Sequence, residues 1–289
     1  MATAPGTPAV QPSPVRLGAV SPQSLVAARE TAHHAAQLLA LVGASFIDAR
    51  PDDGHTSMSW GHEHQALITQ PVNAPSPFRV ALRIADLTLL VLDDAGAGAL
   101  LSLPGQTRAA ALEWLRHEIA ARGRDPVRLR SSLHFSIEPH PTDRDGAFEH
   151  STDGAFDELG RWYDGAAAVL EAVRRDVAGA GPVLCWPHHF DIATLITRPA
   201  GTALTTIGVG MSPGDGSYAE PYYYVGPYPS PTSTPSPLAV GHWHTIGWWG
   251  GVLLGSEVVV VREARAQVAL VRRFLDGAMN ALIANAGDG

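Results

Sequence analysis

The chain has 289 residues, 45% hydrophobic and 17% charged, with a formal net charge of -8 at pH 7, the profile of a globular protein able to bury a substantial core. That acidic balance, without any arginine run, argues against a surface that tracks nucleic-acid phosphates. All 20 basic residues are arginine, which excludes Schiff-base chemistry and a P-loop, since both need a lysine.

Residues 1 to about 20 are rich in Pro, Ala and Ser and read as a disordered tail ahead of a single α+β domain over 21–289. The start lacks the basic-then-apolar order of a signal peptide, and no stretch reaches the roughly 20 apolar residues that span a bilayer. The expectation is a cytoplasmic protein with no membrane partner and no nucleic acid; oligomeric state is left open.

Ser21 and Pro22 start a helix whose apolar face is Leu25, Ala28, Ala32, Ala35, Leu39 and Val42, and Gly43 is expected to close it. Met58, Trp60, His62 and His64 then alternate as in a strand, as do Phe78, Val80, Leu82 and Ile84. Thr88–Leu92 is a further strand, ended by Asp93–Gly96. A helix is predicted over about 107–122, then another strand at Leu133, Phe135 and Ile137. The second half repeats the plan. A helix over about 154–177 is followed by strands at 183–197, 203–210 and 220–226. A proline-rich extended crossing covers 227–238. H-W-H-T, a W-W-G-G-V-L-L strand and a long helix with Val261, Val268, Val271, Leu275 and Leu282 on one face end the chain. Each half, about 21–140 and 150–289, reads as helix, antiparallel strands, helix, and W-G-H at Trp60 echoes W-P-H at Trp186. The predicted fold is a curved antiparallel sheet covered by long helices, with a duplicated unit as one reading.

The chemistry-bearing side chains concentrate between Leu184 and Tyr224. If 183–197 is one strand, His189 and Asp191 share a face, as His242 and His244 do on theirs. One reading makes His189, Asp191, His242 and His244 ligands of a divalent metal such as zinc or iron. The other has them bracing the sheet, since the spacing fits no standard ligand motif. A histidine beside a carboxylate also suits proton transfer near neutral pH. His189, Asp191, Asp215 and Glu220 are therefore the candidate catalytic groups. Trp186, His188, Tyr222, Tyr224, Trp243 and Trp248 are the candidate wall of a small-molecule pocket. The pair His62 and His64 reads as ordinary sheet residues. G-M-S-P-G around Ser212 matches a nucleophile elbow in letters, but a turn follows where the elbow needs a helix. The single cysteine, Cys185, excludes an internal disulfide and a zinc ribbon, and reads as a small buried apolar residue.

The order W-P-H-H-F-D-I-A, S-P-G-D-G, E-P-Y-Y-Y-V-G-P and G-H-W-H-T-I-G-W-W-G-G-V-L-L resembles a bacterial family known as domain of unknown function 5996, over about residues 25–280. Phe190-Asp191 and the S-P-G-D and P-Y-Y-Y-V elements carry the resemblance. It implies no established activity, substrate or cofactor. The resulting expectation is an enzyme acting on a small molecule in an aromatic-lined pocket with a His/Asp cluster. A non-catalytic module binding a small ligand or a protein is the alternative.

Overall fold

A computed structural model describes residues 14–93, 96–199, 205–231 and 235–287. Five helices, α1 (Val26–Phe46), α2 (Arg108–Ala121), α3 (Ala155–Asp176), α4 (Gly255–Val259) and α5 (Ala264–Gly287), accompany eleven strands. The strands are β1 (Met58–Gly61), β2 (Ala66–Thr69), β3 (Arg79–Arg83), β4 (Thr88–Asp93), β5 (Gly96–Ser102), β6 (Leu184–Trp186), β7 (Asp191–Thr197), β8 (Thr206–Ser212), β9 (Tyr222–Tyr228), β10 (His242–His244) and β11 (Gly250–Leu254). They form one open antiparallel sheet in the order β10-β11-β9-β8-β7-β6-β1-β2-β3-β4-β5. The α+β class and the curved antiparallel sheet therefore stand.

Each half of the chain supplies one wing of this sheet, and the two first strands meet in the middle through a single register pair, Met58 with Cys185. Alternation assigns the faces. Met58, Trp60, Leu67, Val80, Leu82, Cys185, Ile192, Val209, Met211, Tyr223 and Leu253 join one core with residues of α1, α2, α3 and α5. The opposite, open face carries a small apolar cluster on the first wing, namely Ala66, Ile68, Ala81, Leu90 and Leu92. On the second wing it carries the aromatic and acidic residues. The long helices cover one face of the sheet, where the sequence led us to expect coverage in general.

The wings are braced reciprocally. From α3 of the second half, Asp164 accepts from Trp60 Nε1 at 2.8 Å, His62 Nδ1 at 2.6 Å and Gln65 Nε2 at 2.9 Å. Burial pushes the Asp164 carboxyl up, but these hydrogen bonds prevail and hold it below the usual range. His62 is thus a bracing residue. From α1 of the first half, His33 and Gln37 reach Pro187 in the second.

Several local expectations are corrected. Gly43 lies inside α1, where a Cβ would sit 2.3 Å from the His55 carbonyl; it permits a close approach and does not end the helix. Residues 129–140 form no strand. They run along α1, with Arg130 N donating to Ser45 Oγ at 3.0 Å and His34 Nε2 to Glu138 O at 2.9 Å. β4 ends at Asp93 as expected, residues 94 and 95 lie outside the described residues, and the sequence reading passed over β5, whose Gly/Ala-rich sequence lacks the β-branched signature. Residues 14–20, assigned to the tail, are anchored: Leu17 is buried and its N–H donates to Gln267 Oε1 at 2.9 Å. Residues 1–13 lie outside the described residues.

Candidate functional site

The predicted strand 183–197 is two strands joined by a turn at residues 187–190. Proline has no N–H for a ladder, and after Pro187 the amides of His189 and Phe190 donate back to Trp186 O, at 3.3 and 2.7 Å. Phe190 takes a left-handed φ of 59°, sparsely populated for an aromatic residue. Its surroundings hold it there. The His33 ring stacks on it at 4.9 Å with 4° between planes, and Tyr163 Oη donates to its carbonyl at 2.5 Å. His33 Nε2 and Gln37 Nε2 both donate to Pro187 O at 2.8 Å. Burial drives the His33 pKa down to about 4. The turn overturns the alternation that put His189 beside Asp191: His189 is exposed on the turn, whereas Asp191 pairs across the hairpin with Trp186.

Asp191 lies on the open face and is only 9% exposed. Tyr224 on β9 stands opposite Gly210 on β8, and a Cβ at Gly210 would fall 2.6 Å from the tyrosine Cζ and Oη. Glycine there lets the ring cross β8, and Tyr224 Oη donates to Asp191 Oδ2. Among the described residues Asp191 Oδ1 is buried without a hydrogen-bond partner. Burial raises the Asp191 pKa above the usual carboxylate value. Burial and the neighbouring Asp191 likewise push the Tyr224 phenol up, keeping it a donor.

Asp215 has a different environment. Its Oδ2 accepts from Tyr222 Oη at 2.5 Å and its Oδ1 from the amides of Ser217 and Tyr218, at 2.7 and 3.1 Å. Tyr222 is pushed up in pKa by burial and by Asp215. Glu220 is also fully engaged: it accepts from Ser256 N at 2.5 Å and Ser256 Oγ at 3.1 Å at the start of α4, and from Gln23 at 3.0 Å. It secures α4 and lies outside the acidic centre of the site.

His242 and His244 share the hydroxyl of Tyr218, a residue the sequence reading passed over. His244 Nε2 donates to Ile246 O at 2.6 Å, so its Nδ1 is the acceptor for Tyr218 Oη at 2.8 Å, and Tyr218 in turn accepts from His242 Nε2 at 3.1 Å. Trp248 stacks on His244 at 4.4 Å and faces Tyr222 at 6.2 Å. Trp243 does not join them. It occupies the helix-bearing face, stacked on Trp249 at 4.9 Å, with its indole N–H on Ser236 O at 2.9 Å. Trp186 flanks His188 at 6.3 Å, and His188 contacts His189 at 4.4 Å and Phe135 at 5.6 Å. Burial lowers the His188 pKa.

The open face therefore gathers Trp186, Asp191, Tyr222, Tyr224 and Trp248, with Asp215 and the two histidines of β10 beside them. Among the described residues no group of three or more His, Cys, Asp or Glu side chains is placed to hold a metal, so His189, Asp191, His242 and His244 do not converge as a ligand set. Cys185 is buried on the helix-bearing face with its thiol pushed up by burial. Ser212 Oγ accepts from Gly214 N at 3.2 Å, as a turn residue does. The sequence reading missed His33, whose only signal was a polar residue within a helix, and Tyr163 reads in the sequence as one more residue of the apolar face of the 154–177 helix. Comparison of the chain with models of known families, with curated proteins and with solved structures finds no match in any of the three.

Proposed function

We propose that the protein is an enzyme that transfers a proton to a small molecule held on the open face of the second wing, with Asp191 as the general acid. The observation that carries this reading is the Asp191 carboxyl: it is nine-tenths buried, with Tyr224 on one oxygen and no partner on the other. A carboxyl group kept neutral by burial can donate a proton where an exposed one has already lost it. The Tyr224 hydrogen bond to Oδ2 stabilises the carboxylate left behind, so the proton leaves from Oδ1. Trp186 flanks this oxygen's residue across the hairpin and supplies an apolar wall. Asp215, with its three donors, fixes the loop that carries Tyr218 and does not act as a free base. The reading gives no role to a metal, and the family resemblance adds no activity to it.

The test uses a library of small neutral fragments bearing a hydrogen-bond acceptor, followed by ligand-observed NMR at pH 7. Fragments that bind the wild-type chain should lose at least about tenfold in affinity with Asp191→Asn and with Trp186→Ala. Binding unchanged in both variants would sink the assignment.

A further inference from the structure

A different site is built where the two wings part. Beyond the single Met58–Cys185 pair the central strands diverge, and a cavity of about 370 Å³ opens there, walled by Ser59, Gln70, Arg79, Glu171, Arg174 and Leu184 among others. Its polar wall is rich in unused donors. Among the described residues Arg79 has no ion-pair partner, and the side chains of Ser59 and Gln70 make no hydrogen bond. Among the described residues Glu171 is the only carboxylate on the cavity wall, and it is engaged by Arg174 Nε at 2.7 Å, which leaves the terminal nitrogens of that guanidinium without a partner there. Two arginines against one carboxylate make a positive recess on a chain whose net charge is -8. Guanidinium groups suit oxyanions because their planar donors pair with two oxygens at once, and the volume lies in the range of small-ligand sites.

We infer that this cavity binds a small multivalent oxyanion, a phosphate- or carboxylate-bearing metabolite, between Arg79 and Arg174, with Ser59 and Gln70 donating to its remaining oxygens. The site is separate from Asp191 and does not rest on the proposed proton transfer. Isothermal titration at low ionic strength with inorganic phosphate and with citrate as probes tests it, and the stronger binder tells phosphate from carboxylate recognition. We expect saturable binding at one site per chain to at least one probe. Affinity should fall by about tenfold or more in the double variant Arg79→Gln/Arg174→Gln, rise in Glu171→Gln, and stay unchanged in Asp191→Asn. Absence of saturable binding to both probes overturns the inference, as does an affinity insensitive to the arginine and Glu171 changes. The Glu171→Gln arm decides the matter even if the double variant folds poorly, because it predicts a gain.

Discussion

A carboxyl group shut away from water holds its proton more tightly in the folded chain than in the unfolded one, and Asp191 is such a group. The stability it contributes is fully present below its unfolded pKa of about 4 and is lost as pH rises through the elevated folded value. Asp191→Asn removes that loss. We expect the variant to gain stability over wild type as pH rises toward 8, with the advantage disappearing toward pH 4, in urea titrations across that range. His33 has the opposite sign. Its pKa is lowered from 6.5 to about 4, so the unfolded chain takes up the proton first and stability falls as pH drops from 6.5 toward 4. The full cost is about 3 kcal/mol. His33→Gln keeps an N–H for the Pro187 carbonyl and should flatten the acid limb of the same titrations while leaving the alkaline limb alone.

At the scale of elements, β8 is shaped around a tyrosine from the next strand. Gly210→Ala would set a methyl group 2.6 Å from Tyr224 Cζ and 2.8 Å from Ala193 Cβ. We expect a loss of 1–3 kcal/mol, the cost of roughly one methyl group too many in a packed site, by urea denaturation. The displaced Tyr224 ring should also leave Asp191 without its donor, which infrared spectroscopy of the protonated carboxyl reads directly. Helical periodicity announced α1, α2, α3 and α5 because each presents a continuous apolar stripe to the core. Alternation announced β3, β4 and β9 for the corresponding reason. It misled at 183–197, where the core-facing positions switch from odd, at Val183 and Cys185, to even, at Ile192 and Ile196; that switch and Pro187 were the two marks of the break. It misled again at 129–140, where alternating residues cover α1 with no strand beside them. The concentration of His, Asp and Tyr in 184–224 did locate the open face. What stayed hidden was partnership: that Glu220 secures α4, that Trp243 faces the helices, and that Tyr218 stands between two histidines. These depend on contacts between residues far apart in the chain.

For the whole molecule, the decisive fact is that two wings joined by one strand pair are held by helices docked across the divide. Asp164 is the most heavily used of these braces, with three donors from the first wing. Asp164→Ala leaves the buried Trp60 N–H without an acceptor and should cost about 2–4 kcal/mol. Because α1 and α3 each serve the other half, the wings should still melt together. Tryptophan fluorescence and far-ultraviolet circular dichroism should give coincident urea transitions in wild type and variant alike, and separated transitions would show that the wings are energetically independent.

The position of β1 has a consequence for synthesis. The first wing can assemble from residues that have all left the ribosome by about Ala121, but its innermost strand pairs with β6, more than sixty residues later in the chain. Throughout that interval Met58–Gly61 is an open strand edge, with Asp164 not yet present to receive Trp60. An unprotected edge pairs with whatever strand it meets, including β6 of another nascent chain on the same message. The junction that makes the finished sheet continuous is thus also the point at which two growing copies can exchange their second halves.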